Sequence, residues 1–204
     1  METSTEEKET ARVEAFSDGV FAIAITLLVL ELKVPRELTD GETLTTALGR
    51  QWPSYIAFVT SFATIGIMWI NHHRLFTYVR RVDHGLLLAN LLLLLGVTVV
   101  PFPTALIAEH HDARLAAMAY SGTFVGIAIF FNILWRHARR EQRLLGSNID
   151  LAEVAAIDRQ YAFGPLLYVG AFALCFVSVG ASVLANLALA IFFALPPRVT
   201  PEAR

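Results

Sequence analysis

A carboxylate, Asp18, interrupts the first long apolar stretch of this 204-residue chain. Asp18 is followed by twelve residues without a charged side chain, and a carboxylate in such a position costs about 2.5–3.5 kcal/mol in a membrane unless it is paired or hydrated. Arg12 is six residues away, which is about 240° around a helix, so the two side chains do not share a face. We therefore expect partners from other helices, and His72, His73 and Asn90 are the candidates.

This polar cluster has two interpretations. It either holds the helices together through hydrogen bonds, or it handles ions or protons directly, as ionisable groups inside membranes often do. Either His72 or His73 can supply the imidazole. The residue types alone leave both interpretations open.

An apolar row follows Asp18 on the same helix. Ile23, Leu27 and Leu30 are spaced at i, i+4 and i+7, which places them on one stripe, and Thr26 lies at the edge of that stripe. Taken alone, such a row is typical of packing or of lipid contact. The Thr26 hydroxyl either faces outward or bonds back to its own helix carbonyl.

The elements that position these residues are long apolar stretches, since a spanning helix needs about 20 apolar residues. Six stretches are predicted to span: residues 13–32, 53–71, 85–107, 113–135, 161–178 and 181–195. Pro101 and Pro103 interrupt the third, and the last two divide one continuous apolar run, which one long tilted helix plus a tail would also accommodate. A polar, basic connection is predicted over residues 136–160. The fold class is therefore all-α integral membrane, with six transmembrane helices per chain in a single domain.

The basic residues predict the orientation. Cytoplasmic termini with six spans leave only four of the 16 basic residues outside, namely Lys33, Arg36, Arg50 and Arg114. The other 12 lie on the inner segments: Lys8, Arg12, Arg74, Arg80, Arg81, Arg136, Arg139, Arg140, Arg143, Arg159, Arg198 and Arg204. Because positive charge accumulates on the cytoplasmic side, we expect a multi-pass protein of the cell membrane with both termini cytoplasmic.

Composition excludes several classes of protein. The chain is 55% hydrophobic and 17% charged, with a mean hydropathy of +0.55, which is far too apolar for a soluble domain. The net charge of -2 gives no reason to expect a nucleic-acid partner, and the single Cys175 excludes an intrachain disulfide. We find no nucleotide-binding loop and no catalytic constellation, so the chain is not expected to be an enzyme. A solvated outer loop explains His110, His111 and Asp112 without a metal.

The first helix carries a longer motif. The run Arg-x-x-x-Phe-Ser-Asp, from Arg12 to Asp18, continues as Gly-Val-Phe-Ala-Ile-Ala-Ile-Thr to Thr26. It strongly resembles the prokaryotic members of the TMEM175 family of lysosomal potassium channels (the former DUF1211 proteins). Looser supports are the Trp-x-Asn-His stretch from Trp69 to His72, Asn90, and Pro101-Phe-x-Thr104.

The resemblance implies a cation channel without a selectivity-filter loop. Single-repeat members resemble homotetramers in which one copy of the first helix from each chain surrounds the axis. The narrowest point of the family pore corresponds to Ile23, with Leu27 and Leu30 continuing the line, and Thr26 corresponds to a residue associated with cation preference. The motif also implies a polar network of Arg12, Ser17, Asp18, Trp69, His72 and Asn90.

The leading hypothesis is thus a homotetrameric, weakly selective potassium channel in the lipid bilayer, with K⁺ as the permeant ion and with no cofactor and no bound metal. An apolar ring can close a pore by dewetting. The alternative is a proton or solute transporter that uses Asp18 and His72 as a relay.

Overall fold

A computed structural model describes residues 2–35, 38, 41–140, 144–146 and 151–195. Four basic residues used to predict orientation lie outside this part of the chain: Arg36, Arg143, Arg198 and Arg204. The described residues are helical apart from their connections and one isolated bridge between Val79 and Leu145.

Eight α-helices follow one another in the described ranges: α1 Glu2–Leu27, α2 Leu44–Arg50, α3 Trp52–Tyr78, α4 His84–Val99, α5 Pro101–Glu109, α6 Arg114–Arg139, α7 Leu151–Ala173 and α8 Val179–Ala194. Two 3₁₀ turns, Leu28–Glu31 and Leu174–Phe176, extend α1 and α7. Several helices are longer than their apolar stretches. The predicted connection 136–160, for example, is largely taken up by the end of α6 and the start of α7, because a helix keeps its backbone hydrogen bonds where its side chains turn polar.

Local chemistry fixes the helix ends. The Asp83 carboxylate accepts the Leu86 N–H at 2.7 Å and caps α4, and the Ser178 hydroxyl accepts the Ala181 N–H at 3.3 Å and caps α8. Pro101 has no N–H to continue the backbone ladder, so α4 ends at Val99 and α5 begins at the proline. The interruption expected at this proline is therefore present.

Four helical stretches are long and apolar enough to cross a membrane within the described ranges: Glu9–Glu31, Trp52–Tyr78, His84–Glu109 and Arg114–Arg139. The third is formed by α4 and α5 together. α8 is apolar but has only 16 residues, and α7 carries Asp158 and Arg159 near its start. Four of the six predicted spans thus meet both the length and the hydropathy requirement.

The first helix packs on one side only. Phe21, Ala24 and Leu28 are buried along the line where α1 contacts α3 and α4. Only 22% of the α1 span is buried, against 33% to 50% for the other three spans. α1 therefore lies at the edge of the bundle with most of its surface uncovered.

The remaining helices form a tight core. Gly96 lies where α4 meets α6, because a Cβ there would come within 2.8 Å of Ile127 Cγ1. Buried hydroxyl groups join other pairs of helices: Ser61 Oγ lies 2.8 Å from Thr104 Oγ1, and Ser121 Oγ lies 2.7 Å from Ser182 Oγ. Such contacts stabilise helix pairs where the hydrophobic effect gives no preference.

Connections meet at the end of the bundle where α1 begins, which we call the N-terminal end. Leu144 O accepts hydrogen bonds from Arg80 N at 2.8 Å and from Arg81 N at 3.2 Å, and Gly146 N donates to Tyr78 O at 3.1 Å. The Thr10 hydroxyl of α1 donates to Arg80 O at 3.4 Å. The α3–α4 loop is thus tied both to the α6–α7 connection and to the first helix.

Candidate functional site

Three buried polar side chains join α1, α3 and α4. Ser17 Oγ donates to Val13 O in its own helix at 2.8 Å and accepts from Asn90 Nδ2 at 3.0 Å. Asn90 Oδ1 in turn lies 2.9 Å from His72 Nε2. Because the Asn90 amide nitrogen is used toward Ser17, its oxygen is the acceptor, and Nε2 of His72 carries the proton.

Aromatic rings hold the histidine of this chain of hydrogen bonds. The His72 ring stacks on Phe76 with a centroid separation of 4.5 Å, and Phe21 of α1 approaches it at 5.4 Å. The imidazole is therefore fixed on its faces by rings and at its edge by Asn90. His72 is the histidine of this hydrogen-bonded group.

Asp18 belongs to a second group. The Trp69 indole N–H donates to Asp18 Oδ1 at 2.8 Å, and His73 stacks on Trp69 with a centroid separation of 6.1 Å. Sequence reasoning named His72, His73 and Asn90 as partners for the carboxylate and reached Trp69 only through the family motif. The indole N–H only donates hydrogen bonds. This property could have identified Trp69 as a partner for the Asp18 carboxylate.

Arg12, the last member of the predicted polar network, belongs to neither of these two groups. Arg12 is exposed and makes no hydrogen bond or ion pair with any residue that the structure describes. The structure also forms no hydrogen bond between Asp18 and His72, which use Trp69 and Asn90 instead. A proton relay between Asp18 and His72 thus has no direct link within the described residues.

The apolar row on α1 is uncovered. Ile23 is 59% exposed, Leu27 43% and Leu30 68%, so the rest of the described chain leaves about half or more of each side chain uncovered. Phe16 is 58% exposed and lies seven residues before Ile23, on the same stripe. The same spacing in the sequence would have added Phe16 to the predicted row of Ile23, Leu27 and Leu30.

Thr26 lies beside this row with its hydroxyl bonded to its own helix. Its Oγ1 lies 2.9 Å from both Ala22 O and Ile23 O. A hydroxyl that donates to a carbonyl still has lone pairs for a cation or water. The Thr26 Oγ1 therefore remains able to accept a hydrogen bond or contact a cation, although its hydrogen is donated to the helix backbone.

Polar groups at membrane depth and an uncovered apolar row occur on one helix. The exposed Asp18 carboxylate is expensive against lipid, so the surface it lies on suits water or another protein surface. Several copies of such a row around one axis would form an apolar constriction, which can gate a pore by dewetting. This combination fits an ion pathway and contains no arrangement that performs covalent chemistry.

Known proteins share this chain's sequence and fold. Residues 12–101 match the family model described as endosomal/lysosomal potassium channel TMEM175. A potassium channel of Chamaesiphon minutus is 56% identical over 199 residues, which cover 96% of this chain and 98% of that protein. A potassium channel of Streptomyces collinus is 47% identical over 189 residues, covering 91% of each.

A solved structure agrees with these matches. The crystal structure of a lysosomal potassium-selective channel TMEM175 homolog from Chamaesiphon minutus superposes with a TM-score of 0.83 at 54% identity, covering 92% of this chain and 97% of that one. The resemblance drawn from the first-helix motif is confirmed, and the family it points to is one of ion channels rather than enzymes. The chain belongs to the TMEM175 family.

Proposed function

We propose that this chain forms a potassium-permeable cation channel of the cell membrane. The observation that carries the proposal is the first helix: it holds the family motif, yet most of its surface is left uncovered by the rest of the chain. A membrane helix of this kind is available for self-association. The potassium channels that match this chain over more than nine-tenths of its length support the same function.

The assembly we propose is a homotetramer around the first helices. Closed rings are the usual outcome of self-association, and four copies of α1 would place Ile23, Leu27 and Leu30 around a common axis. Ile23 is the proposed constriction, and the two leucines continue it. The uncovered surface of α1 would then be buried between subunits or would line the pore.

Six spans per chain remain part of the proposal. α7 and α8 are connected by the short turn at Leu174–Phe176, and α8 at 16 residues is about 24 Å long, slightly less than the hydrocarbon core of about 30 Å. The apolar part of α7 and all of α8 would thus cross as two short spans. Both termini then lie in the cytoplasm, as the distribution of basic residues favours.

The polar groups have a structural role in this proposal. The Ser17–Asn90–His72 chain joins the pore helix to α3 and α4, and Trp69 orients Asp18. Arg12 would then find its partner in water or in a neighbouring subunit. The network fixes the base of the pore helix and leaves permeation to the apolar row and Thr26.

Potassium flux from liposomes tests the function. Wild-type protein reconstituted with K⁺ inside should dissipate the gradient well above protein-free liposomes when a potential is applied. Absence of flux from folded tetramers would refute the channel and make the Asp18 and His72 relay the hypothesis to test by proton flux.

We further propose that Thr26 contributes to a modest preference for K⁺, since an apolar constriction supplies no stack of carbonyls to replace hydration. Thr26→Val removes the hydroxyl oxygen and should lower the K⁺/Na⁺ permeability ratio, measured as a reversal potential. Thr98→Val is the matched control, because that exposed hydroxyl also bonds only its own helix, at 2.8 Å from Leu95 O. An unchanged ratio in Thr26→Val would contradict the assignment.

A further inference from the structure

A polar cavity lies at the N-terminal end of the bundle, away from the first helix. It has a volume of about 740 Å³ and opens where α6 ends and α7 begins, which is within the size range of ligand pockets, about 300–1,000 Å³. Its charged lining consists of Arg136, Arg139, Arg140 and Asp158. None of these residues belongs to the polar network of α1.

Asp158, the carboxylate among the described residues that line this cavity, is already engaged. Trp135 Nε1 donates to Asp158 Oδ1 at 2.6 Å, and Arg139 forms an ion pair with Asp158 Oδ2. These contacts join α6 to α7 and balance the charge of Arg139. Asp158 therefore offers little repulsion to an incoming anion.

Two arginines are left over. Arg136 and Arg140 are exposed, line the cavity and make no ion pair with any residue in the described ranges. Arg136 lies in the last turn of α6 and Arg140 is its C-cap residue, and because both line the same cavity their charges repel each other. An anion bound between them would remove that repulsion, whereas a cation would be disfavoured.

The position of the cavity favours a membrane-derived anion. Arg136 lies at the end of the Arg114–Arg139 span and Arg140 directly follows it, so both are placed where a spanning helix leaves the hydrocarbon core. The distribution of basic residues assigns this end to the cytoplasmic side. Basic pockets between helices at this level are suited to the phosphate of anionic lipid head groups.

We propose that this cavity binds a phosphate-bearing anion through Arg136 and Arg140. A phospholipid head group of the cytoplasmic leaflet and free phosphate both have this chemistry, and the position at the membrane interface favours the head group. The proposal concerns α6 and α7 and does not depend on ion conduction through α1.

Binding of lipids to the purified full-length protein tests the site. We expect Arg136→Gln and Arg140→Gln each to weaken the apparent Kd for phosphatidylglycerol about fivefold, the ratio that corresponds to about 1 kcal/mol per arginine, as counted by native mass spectrometry. Binding of phosphatidylcholine should be equal in wild type and in both variants. Arg114→Gln is the matched control, since Arg114 is an exposed arginine at the opposite end of the same helix, and it should bind phosphatidylglycerol like wild type.

Inorganic phosphate distinguishes the two sources. If millimolar phosphate alone raises the Tm of wild type but not of Arg136→Gln or Arg140→Gln, the site takes free phosphate. If only phosphatidylglycerol raises the Tm of wild type but not of the two variants, the site takes the lipid head group. The proposal is overturned if both variants, eluting as wild type on size exclusion, bind phosphatidylglycerol and respond to phosphate as wild type does, or if Arg114→Gln weakens binding equally.

Discussion

Replacing Ile23 by asparagine should raise K⁺ flux through the reconstituted protein by about 30-fold. An amide is easier to hydrate than an apolar side chain, and at the low end of transfer scales the difference is about 0.5 kcal/mol for each of the four side chains in the proposed tetramer. A sum of about 2 kcal/mol corresponds to about 30-fold. The row on α1 is exposed in the single chain, so the substitution introduces no buried polar group there.

Ile191→Asn on α8 is the matched control. Ile191 is also half-exposed, at 52%, and it lies on a helix far along the chain from α1, so the same chemical change there should leave the flux at the wild-type level. Flux that rises equally in both variants would indicate a general leak. Flux that is unchanged in folded Ile23→Asn tetramers would remove Ile23 from the constriction.

Removing Asn90 should lower the free energy of unfolding by about 2 kcal/mol, since Asn90→Ala leaves the buried His72 Nε2 without its acceptor and a buried unpaired group costs about 1–3 kcal/mol. Ser17 keeps its bond to Val13 O in that variant. Ser17→Ala leaves Asn90 Nδ2 without its acceptor and should also lower the free energy of unfolding. A double-mutant cycle of the two should give a coupling of about 0.6 kcal/mol and at most about 1.7 kcal/mol, as for other hydrogen bonds inside membranes. Thermal unfolding in detergent measures all three variants.

Thr123→Val is the control for this cycle. It removes a part-buried hydroxyl that bonds only Ala119 O in its own helix, at 2.9 Å, so it should show no coupling to Asn90→Ala. Strict additivity of Ser17→Ala and Asn90→Ala would mean that their 3.0 Å contact contributes nothing to stability.

The need for a polar cluster followed from the sequence, because an unpaired carboxylate inside a span is costly. The pairing within the cluster did not follow. Trp69 and His72 are three residues apart and share one face of α3, so the rotation of α3 against α1 decides that Trp69 meets Asp18 and His72 meets Asn90. His73 is one residue further, about 100° around the helix. The packing of α3 against its neighbours decides that His72, and not His73, meets Asn90.

The sequence also did not predict which face of the first helix is left uncovered. Phe21 and Ile23 are both apolar, yet Phe21 is 1% exposed and Ile23 is 59% exposed. Lipid is as apolar as a protein core, so hydropathy does not separate the two faces of a membrane helix. The spacing gave the row of Ile23, Leu27 and Leu30, and only the family motif gave that row a role other than packing or lipid contact.

The hydrogen bonds from α1 to other described elements are confined to its first part, and beyond Asp18 the helix is held by the apolar packing of Phe21, Ala24 and Leu28. Thr10, Ser17 and Asp18 bond other helices or loops, whereas residues 19–32 make no hydrogen bond to another described element. Lys33 then pairs with Glu109, an exposed contact of the kind that contributes at most about 1 kcal/mol. At about 1.5 Å per residue, Ile23 is about 9 Å and Leu30 about 20 Å from Ser17. A swing about Ser17 would thus displace Leu30 about twice as far as Ile23, so the pore of the proposed tetramer would widen more at Leu30 than at the proposed constriction.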